Sequence, residues 1–251
     1  MKIVVIGGTG LIGSKLIARL TEHGHEGVAA APNTGVNTLT GEGLAEVLVG
    51  ADVVVDVSNS PSFADADVLD FFTRSTGNLL EAEKAAGVGH HVALSIVGTD
   101  RLPASGYLRA KVAQEQLIRD GGVPFSIVHA TQFYEFTAAI AQAATVGDEV
   151  HLSTGHFQPM AADDVVAALG PITVGEPLGR IQEIGGPSKV RMSDFVAAAL
   201  TAQGDPRTVV ADPAATYFGA VLSGDELVPG PDARLFTTTY DEWRAAQAAA
   251  V

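Results

Sequence analysis

The feature that most constrains this chain is an apolar strand that runs directly into a glycine-rich turn. Residues 3–6 form an uninterrupted apolar run, the pattern of a strand buried on both faces of a parallel sheet. Gly7, Gly10 and Gly13 follow, and an apolar pattern of helical period begins at Leu11. Strand, glycine turn and helix in this order predict a site for the pyrophosphate of a dinucleotide.

Each part of the turn has a physical reason to be there. Gly7 permits a tight turn, Gly10 lets the backbone approach phosphates, and Gly13 lets helix and strand pack closely. The spacing is G-x-x-G-x-x-G, which differs from G-x-G-x-x-G, and a plain strand–helix corner is the alternative. The cofactor-binding residues expected in this turn are Gly7, Thr9, Gly10, Leu11, Ile12 and Gly13.

Composition narrows the class of protein. Fifteen basic and twenty-nine acidic side chains give a net charge of −14, which disfavours nucleic acid and anionic membranes as partners. There is no cysteine, so thiolate chemistry and disulfides are excluded. No apolar stretch of membrane-spanning length and no signal peptide is evident, so we expect a cytoplasmic protein.

The order of predicted elements indicates the fold class. Strand patterns alternate with helical patterns over residues 1–133, which predicts an α/β protein with a doubly wound parallel sheet. From Phe133 onward the pattern is irregular, and we expect residues 134–251 to form a small substrate-side elaboration of the same domain. The predicted strands are 3–6, 27–31, 36–39, 51–57, 91–97 and 124–130, and we expect 124–130 to be the last strand of the main sheet. The main predicted helices are 41–49, 65–86, 105–120, 161–169 and 192–202.

Ligands of such sheets bind at the carboxyl ends of the strands. Two further groups of residues follow predicted strands at that edge, and we expect them to contact the cofactor: Ser58, Asn59 and Ser60, together with Ala130, Thr131 and Phe133. His90 and His91 do not predict a metal site, because adjacent strand residues point to opposite faces.

The end of the second strand bears on the choice of nucleotide. No carboxylate stands near Ala31, where an acidic residue normally binds the ribose hydroxyls of NAD. Asn33 and Thr34 can instead donate hydrogen bonds to a 2′-phosphate, although a plain surface turn is the alternative. We therefore expect NADP(H), with NAD(H) as the second choice.

A candidate reactive pair lies in the fourth long helical pattern. Tyr107 and Lys111 stand four residues apart, hence on one helical face. A phenol is a poor proton donor and acceptor at neutral pH unless a cation stabilises its phenolate. Ser95 ends the preceding strand and could hold a substrate oxygen. The same spacing also occurs in ordinary amphipathic helices.

With these motifs the chain resembles the short-chain dehydrogenase/reductase superfamily, most closely its atypical, NmrA-like branch. The matching segments are 7–13, 94–98, 107–111, 127–133 and 161–166. The resemblance implies a Rossmann-type fold that holds NADP or NAD. It makes Tyr107 the catalytic acid/base, assigns Lys111 to the nicotinamide ribose and to lowering the tyrosine pKa, and lets Ser95 orient a carbonyl.

Two positions depart from that pattern. Asn37 replaces an aspartate expected at the adenine edge, and His129 stands where an arginine is usual.

Three functions are considered on this basis. The first is an enzyme, an NADP(H)-dependent oxidoreductase acting on a small carbonyl or quinone-like substrate, with Phe63 and Phe133 lining the pocket. The alternative is a non-catalytic, NADP-sensing regulator of the NmrA-like type. A nucleotide-sugar epimerase is disfavoured, because it needs a larger sugar domain than the residues after 133 readily provide. We expect a monomer or homodimer, with Trp243 anchoring the C-terminal helix.

Overall fold

A parallel β-sheet forms the centre of the computed structural model, which describes residues 1–249. The strands in chain order are β1 (Lys2–Ile6), β2 (Glu26–Ala30), β3 (Val53–Asp56), β4 (His90–Ile96), β5 (Phe125–Ala130), β6 (Thr145–Val146), β7 (Glu149–Leu152), β8 (His156–Phe157), β9 (Ile181–Gly185), β10 (Val190–Arg191), β11 (Thr208–Ala211), β12 (Thr216–Tyr217), β13 (Ala220–Val221) and β14 (Arg234–Leu235).

Seven of these strands form the main sheet, in the order β14-β9-β5-β4-β3-β1-β2. Every neighbouring pair in it is parallel. The winding reverses at β1, because β2 lies on one side of it and β3 on the other. The loops after β1 and β3 therefore meet at the carboxyl edge, which is where open α/β sheets bind ligands.

Helices cover both faces of this sheet, which is the doubly wound α/β architecture predicted from the sequence. The helices are α1 (Leu11–Glu22), α2 (Leu44–Val47), α3 (Asp65–Ala86), α4 (Gly106–Asp120), α5 (Thr137–Ala143), α6 (Ala162–Val174), α7 (Met192–Gln203) and α8 (Tyr240–Ala249). α1 packs against α6 on one face, and α3 packs against α4 on the other. Strands covered on both sides must be apolar throughout, and β1 is buried from Ile3 to Ile6.

Local sequence signals set the ends of the long helices. α3 spans the predicted residues and ends at Gly87, whose φ of 73° places it in the left-handed region that favours glycine. α4 is capped by Ser105, whose hydroxyl accepts a hydrogen bond from the Leu108 amide at 3.3 Å. This cap fixes the start of the helix that carries Tyr107 and Lys111.

The predicted strand at residues 36–39 is wrong. Asn37 forms only an isolated antiparallel bridge with Glu42, and its side-chain oxygen accepts a hydrogen bond from the Leu39 amide. Such an Asx turn competes with extended pairing, and Gly41 nearby adopts a positive φ. β2 is consequently the edge strand of the main sheet.

The prediction that residues 124–130 form the last strand of the sheet is also wrong. β9 pairs with β5, and β14 pairs with β9, so the region after Phe133 returns to the sheet. The sequence pattern of β9 hides this role, because its first three residues are only partly buried and include Gln182 and Glu183. The main sheet therefore contains strands from both predicted regions, 1–133 and 134–251. Residues 250–251 of the second region lie outside the described residues.

The other strands form small sheets beyond the main one, including the β12–β13 hairpin. The C-terminal helix α8 docks through Trp243, whose indole N–H donates to Glu135 at 2.9 Å. The Trp243 ring also stacks on Tyr240 and lies 5.8 Å from Tyr134. These contacts agree with the expected anchoring role of Trp243.

A polar pair is buried between the sheet and α3. His91 on β4 and Glu83 on α3 have no exposed side-chain surface, and His91 Nδ1 lies 2.8 Å from Glu83 Oε1. The neighbouring His90 points elsewhere and lies 2.8 Å from the Ser126 hydroxyl. Burial alone would lower the pKa of His91, but the charge of Glu83 and the hydrogen bond to it raise that pKa above its usual value.

Replacing Glu83 by Gln is expected to destabilise the protein most on the acidic side of neutrality. A folded-state pKa raised above 6.5 adds stability below that value, and this stability is lost as the pH rises through the folded-state pKa. The expected loss is about 1.5–3 kcal/mol near pH 6, the usual contribution of a charged hydrogen bond, and less near pH 9. Urea denaturation at the two pH values measures it.

The matched control is Glu81→Gln, because Glu81 is exposed on the same helix. That variant should lose at most about 0.5 kcal/mol. An equal loss at both pH values for Glu83→Gln would mean that His91 carries no charge in the folded protein.

Candidate active site

Glycines let the backbone fold tightly where β1 turns into α1. Gly7 has a φ of 77°, and a Cβ there would lie 3.0 Å from the backbone of Ser58, in the loop after β3. A Cβ on Gly13 would overlap the Gly7 carbonyl oxygen. A Cβ on Gly10 would meet only that same oxygen, at 3.3 Å. Gly7 and Gly13 therefore permit the fold of the turn, while Gly10 leaves its outer surface open.

The first turn of α1 presents backbone N–H groups at this edge. Gly10 precedes the helix with an extended backbone, and no side chain caps this end. The amides of Leu11 and Ile12 thus have no partner within the helix, and the helix dipole adds a partial positive charge. Thr9 donates from its hydroxyl to Asn33 Oδ1 at 3.2 Å, which brings the loop after β2 to the same place. These donors fit a pyrophosphate without a basic side chain.

The loop after β2 holds the two residues expected to select the nucleotide. The Thr34 hydroxyl makes its hydrogen bonds within the loop and not to a nucleotide. It accepts a hydrogen bond from the Ala31 amide and lies within hydrogen-bonding distance of the Ala31 carbonyl. Asn33 uses its side-chain oxygen toward Thr9, which leaves its amide nitrogen as a donor. Asn37 follows in the turn described above and does not end a strand.

The loop after β3 connects the glycine turn to α4. Ser58 donates from both its amide and its hydroxyl to Asp56 Oδ1, at 2.9 and 2.6 Å. Asn59 accepts a hydrogen bond from the Tyr107 hydroxyl at 3.2 Å. Ser60 is buried and accepts a hydrogen bond from a backbone amide two residues later. Of the three predicted residues of this loop, the structure thus brings Asn59 into contact with Tyr107, while Ser58 and Ser60 bond to Asp56 and within the loop.

Tyr107 lies under aromatic rings and is only 9% exposed. Phe63 packs edge-on against it at 5.3 Å, and Phe72 lies 6.2 Å away. Burial raises the pKa of Tyr107 to about 12, and the hydrogen bond to Asn59 offsets this only in part. The expected lowering of this pKa by Lys111 is therefore not present in the structure.

Lys111 is buried on the same helix, and its ammonium points toward β4. Nζ donates to the Leu94 carbonyl at 3.0 Å and to Gln114 Oε1, and it lies 4.5 Å from the centre of the Phe72 ring. Burial lowers the pKa of Lys111 to about 8, against a raising effect of the Asp56 charge. Within residues 1–249 no hydrogen bond joins the ammonium to the Tyr107 hydroxyl.

Two residues of this site were missed by the sequence analysis. Gln114 donates from Nε2 to Asp56 Oδ2 at 2.9 Å while its oxygen accepts from Lys111. Gln114 therefore links the only carboxylate of β3 to the buried ammonium. The sequence did contain a signal for this network. Asp56 lies in the otherwise apolar run 53–57, and a carboxylate that is buried in such a strand must find hydrogen-bond partners.

Ser95 occupies a different place from the one expected. Its hydroxyl is buried and donates to Glu115 Oε1 at 2.6 Å, between the sheet and α4. The same oxygen lies 2.8 Å from His129 Nε2. Burial alone would raise the pKa of Glu115, but the bonds from His129 and Ser95 hold that pKa below its usual range. The Ser95 hydroxyl is therefore bonded to Glu115 and is not available to a substrate oxygen. His129 has the same carboxylate as its partner, which is a structural role.

The end of β5 carries the last group of expected cofactor residues. Ala130 is buried, and its carbonyl accepts a hydrogen bond from the Val97 amide. Thr131 follows with a buried hydroxyl that has no partner among the described residues. Phe133 stacks on Phe136 at 5.5 Å. These residues lie beyond the same sheet edge as the glycine turn.

Comparison with known sequences finds distant relatives with enzymatic and other roles. The chain is 27% identical over 220 residues to (4-alkanoyl-5-oxo-2,5-dihydrofuran-3-yl)methyl phosphate reductase of Streptomyces griseus subsp. griseus, covering 81% of this chain and 74% of that protein. It is 24% identical over 149 residues to the photosystem II assembly factor Ycf39 of Cyanophora paradoxa, covering 54% of this chain and 46% of that protein.

Comparison with solved structures identifies the same fold. The structure of MoeE5 in complex with UDP-glucose and NAD superposes with a TM-score of 0.75 at 19% identity, covering 99% of this chain and 100% of that one. The NADPH-dependent quinone oxidoreductase QOR2 of Escherichia coli, complexed with NADPH, gives a TM-score of 0.65 at 21% identity, covering 84% and 77%.

The first of these structures corrects one argument made from the sequence. Residues after 133 were judged too few for a nucleotide-sugar enzyme, yet a protein solved with UDP-glucose is matched over its whole length. Chain length therefore does not separate epimerases from reductases here. Among residues 1–249 no helix is long and apolar enough to cross a membrane.

The sequence profile of the NAD dependent epimerase/dehydratase family matches residues 3–134, just over half of the chain. The match confirms the predicted short-chain dehydrogenase/reductase type of protein and, with the reductase relative, an enzyme of the NAD(P)-dependent oxidoreductase type. It does not single out the NmrA-like branch. The chain belongs to the NAD-dependent epimerase/dehydratase family.

Proposed function

We propose that this protein is an NADP(H)-dependent oxidoreductase that transfers hydride to or from a small carbonyl or quinone-like compound. The observation that carries the proposal is the position of the Tyr107 hydroxyl. It lies at the carboxyl edge of the sheet, bonded to Asn59 in the loop that packs against the glycine turn. A proton donor is thus held beside the site that fits a dinucleotide.

The cofactor would supply or accept the hydride, and the residues of the chain handle the proton. Because its pKa is raised to about 12, Tyr107 keeps its proton at neutral pH and is in the form needed to protonate a carbonyl oxygen. Lys111 supplies a positive charge on the same helix, which favours the phenolate left after that transfer. Gln114 and Asp56 hold the ammonium in place through their hydrogen bonds.

The nucleotide preference rests on the end of β2. The strand ends at Ala30 without a following carboxylate, so nothing there repels a 2′-phosphate. Asn33 keeps an amide nitrogen free to donate beside the glycine turn. A neutral hydrogen bond of this kind contributes about 0.5–1.5 kcal/mol, so the preference for NADP(H) over NAD(H) is modest.

A purely nucleotide-sensing protein would explain the site less well. A sensor needs the glycine turn, but it does not need a phenol and a buried ammonium on one helix. Burying the Lys111 charge costs folding free energy, as its pKa of about 8 against the usual 10.5 shows. Such a cost is expected where a charge serves catalysis.

Replacing Gly10 by Val should abolish nucleotide binding while the fold stays intact. A Cβ at this position meets only one protein atom within 4 Å, the Gly7 oxygen, so the valine can be accommodated at the open surface of the turn. We expect a loss of at least about 100-fold in NADPH affinity, which corresponds to about 2.7 kcal/mol. Isothermal titration calorimetry measures the affinity, and circular dichroism confirms the fold.

The contrasting variant is Gly13→Ala, in which even a Cβ overlaps the Gly7 carbonyl oxygen. That variant should lose thermal stability, whereas Gly10→Val should not. Unchanged NADPH affinity in folded Gly10→Val would remove the turn as the pyrophosphate site.

Tyr107→Phe should lower kcat for carbonyl reduction by about 10²–10⁴-fold, the usual contribution of acid–base catalysis. NADPH affinity should stay within about twofold, because the hydroxyl contacts only Asn59. In the wild type, the reduction rate should fall as the pH rises through about 8, where Lys111 loses its proton. NADPH absorbance measures both with a panel of carbonyl compounds, quinones and nucleotide sugars.

The control is Tyr240→Phe, which removes a phenol that accepts a hydrogen bond from Gln203 and lies away from α4. Its kcat should fall by less than about tenfold. If Tyr107→Phe keeps kcat within about threefold, the proton-donor assignment is wrong. Conversion of a nucleotide sugar without net consumption of NADPH would replace the oxidoreductase by an epimerase.

Lys111→Met should remove the activity. It should also remove a pH dependence of the free energy of unfolding. The pKa of Lys111 in the folded protein is lowered from 10.5 to about 8, so the unfolded chain binds more protons between these values. The wild type therefore gains stability as the pH rises through this window, by about 3 kcal/mol in total. The Met variant lacks this gain, because its side chain does not titrate.

Urea denaturation between about pH 7 and pH 10.5 measures the difference. Lys84→Met is the matched control, since Lys84 is exposed on α3 and should leave the pH profile unchanged. Identical pH profiles of the free energy of unfolding for the wild type and Lys111→Met would contradict the lowered pKa of the buried Lys111 ammonium.

A further inference from the structure

Two exposed aromatic rings converge over Tyr107 from separate parts of the chain. Phe63 lies in the loop between β3 and α3 and is 50% exposed, and Phe218 lies at the tip of the β12–β13 hairpin and is 40% exposed. The Phe218 ring is 4.9 Å from that of Tyr107 and 5.3 Å from that of Phe63. Exposed rings clustered beside a proton donor mark a surface that contacts a ligand.

The backbone of the hairpin does not favour the ring that it carries. Phe218 and Gly219 form a two-residue turn between Tyr217 and Ala220, with φ values of 46° and 82°. Positive φ at both positions is the geometry for which Asn, Asp or Gly is preferred at the first. Among residues 1–249 Phe218 is the only non-glycine residue with positive φ. The folding of the hairpin therefore does not explain this side chain.

A polar group without a partner lies next to the hairpin. Gln132 follows β5 and is 7% exposed, and neither its Nε2 nor its Oε1 has a hydrogen-bond partner among the described residues. The neighbouring Tyr217 phenol interacts with the Gln132 side chain but is not positioned for a regular hydrogen bond, and it also lies close enough to Tyr107 for the two phenols to interact electrostatically. A buried amide with both ends unpaired is costly, so it is suited to a ligand that brings an acceptor such as a carbonyl oxygen.

The segments that meet here carry no charge. Residues 57–64, 130–134 and 213–224 contain no Lys, Arg, Asp or Glu. Arg109 is the exposed basic side chain of α4 near these segments, but it is held by Asp65 at 2.7 Å and by backbone carbonyls. Lys111 on the same helix is buried and bonded to Leu94 and Gln114, so neither side chain is free to bind a phosphate group of a substrate. The site is therefore suited to a neutral ligand.

Resting on the proposed function, we propose that this site binds a neutral, planar, conjugated carbonyl compound such as a quinone. Phe63 and Phe218 move apart and take its ring between them, while a carbonyl oxygen faces Tyr107 and Gln132. Phe218 is then a specificity-determining residue, and its positive φ directs the ring toward the site.

The test is direct binding of menadione, a neutral planar quinone, with UDP-glucose as the phosphate-bearing comparison. Calorimetry uses the Tyr107→Phe background in the presence of NADP⁺, which has no hydride to transfer to menadione, so that no turnover occurs. Adding Phe218→Asn should weaken menadione binding by about 3–10-fold, the loss expected for one aromatic contact. The melting temperature should not fall, because Asn suits the turn.

Two matched variants separate the ring from the hairpin. Phe218→Tyr keeps the ring and should keep the affinity within about twofold. Val221→Asn changes an exposed apolar side chain on the same hairpin and should leave the affinity unchanged. Gln132→Met should weaken menadione binding and raise the melting temperature, because it removes an unpaired buried amide.

Menadione affinity within about twofold in folded Phe218→Asn, or tighter binding of UDP-glucose than of menadione, overturns the site. Turnover by the otherwise wild-type protein distinguishes this failure from failure of the proposed function. Reduction of carbonyl compounds with an unchanged KM in Phe218→Asn defeats the ring site alone. Binding of menadione through Phe218 without reduction of any carbonyl compound defeats the oxidoreductase proposal and supports the ring site.

Discussion

The structure depends on one close backbone contact, between the first turn of α1 and the turn that follows β1. No side chain fits between Gly13 and the Gly7 carbonyl, and Gly7 in turn touches the backbone of Ser58. This contact places the N-terminus of α1 against the loop after β3, at the point where the winding of the sheet reverses. The same loop reaches Tyr107 through Asn59. The amides of the first turn of α1 and the Tyr107 hydroxyl are therefore positioned by one packing constraint.

A layer of buried polar groups between the sheet and the helices α3 and α4 adds a second constraint. Asp56, Gln114 and Lys111 form one chain of hydrogen bonds, and Ser95 and Glu115 belong to another. Buried charges are destabilising unless each finds a partner, so these groups fix the register of α4 against the strands. The fixed register gives Tyr107 a defined position at the edge of the sheet. The same polar groups whose burial costs folding free energy thus fix the position of Tyr107.

The parts of the fold that could be predicted are those whose signal is local. The glycine turn, α3 with Gly87, and the Tyr107–Lys111 spacing are each complete within a short segment. The turn at Asn37 was mistaken for a strand, because a side-chain hydrogen bond decides it. β9 was missed since its partner β5 lies some fifty residues earlier. The commitment of Ser95 to Glu115 could not be predicted either, because it arises only when α4 packs on β4.

The family match covers only part of the proposed substrate site, which explains why the one does not determine the other. The profile ends at residue 134, just after β5, whereas Tyr217 and Phe218 come from a hairpin more than eighty residues later. Phe63, Tyr107 and Gln132 lie within the matched residues, but the hairpin that carries Phe218 lies outside them, so membership of the family does not account for this ring. A lone aromatic residue at a position that favours Asn is the kind of departure that local folding preferences cannot produce. The contact of its ring with Tyr107 accounts for this residue if Phe218 binds the substrate, as proposed above.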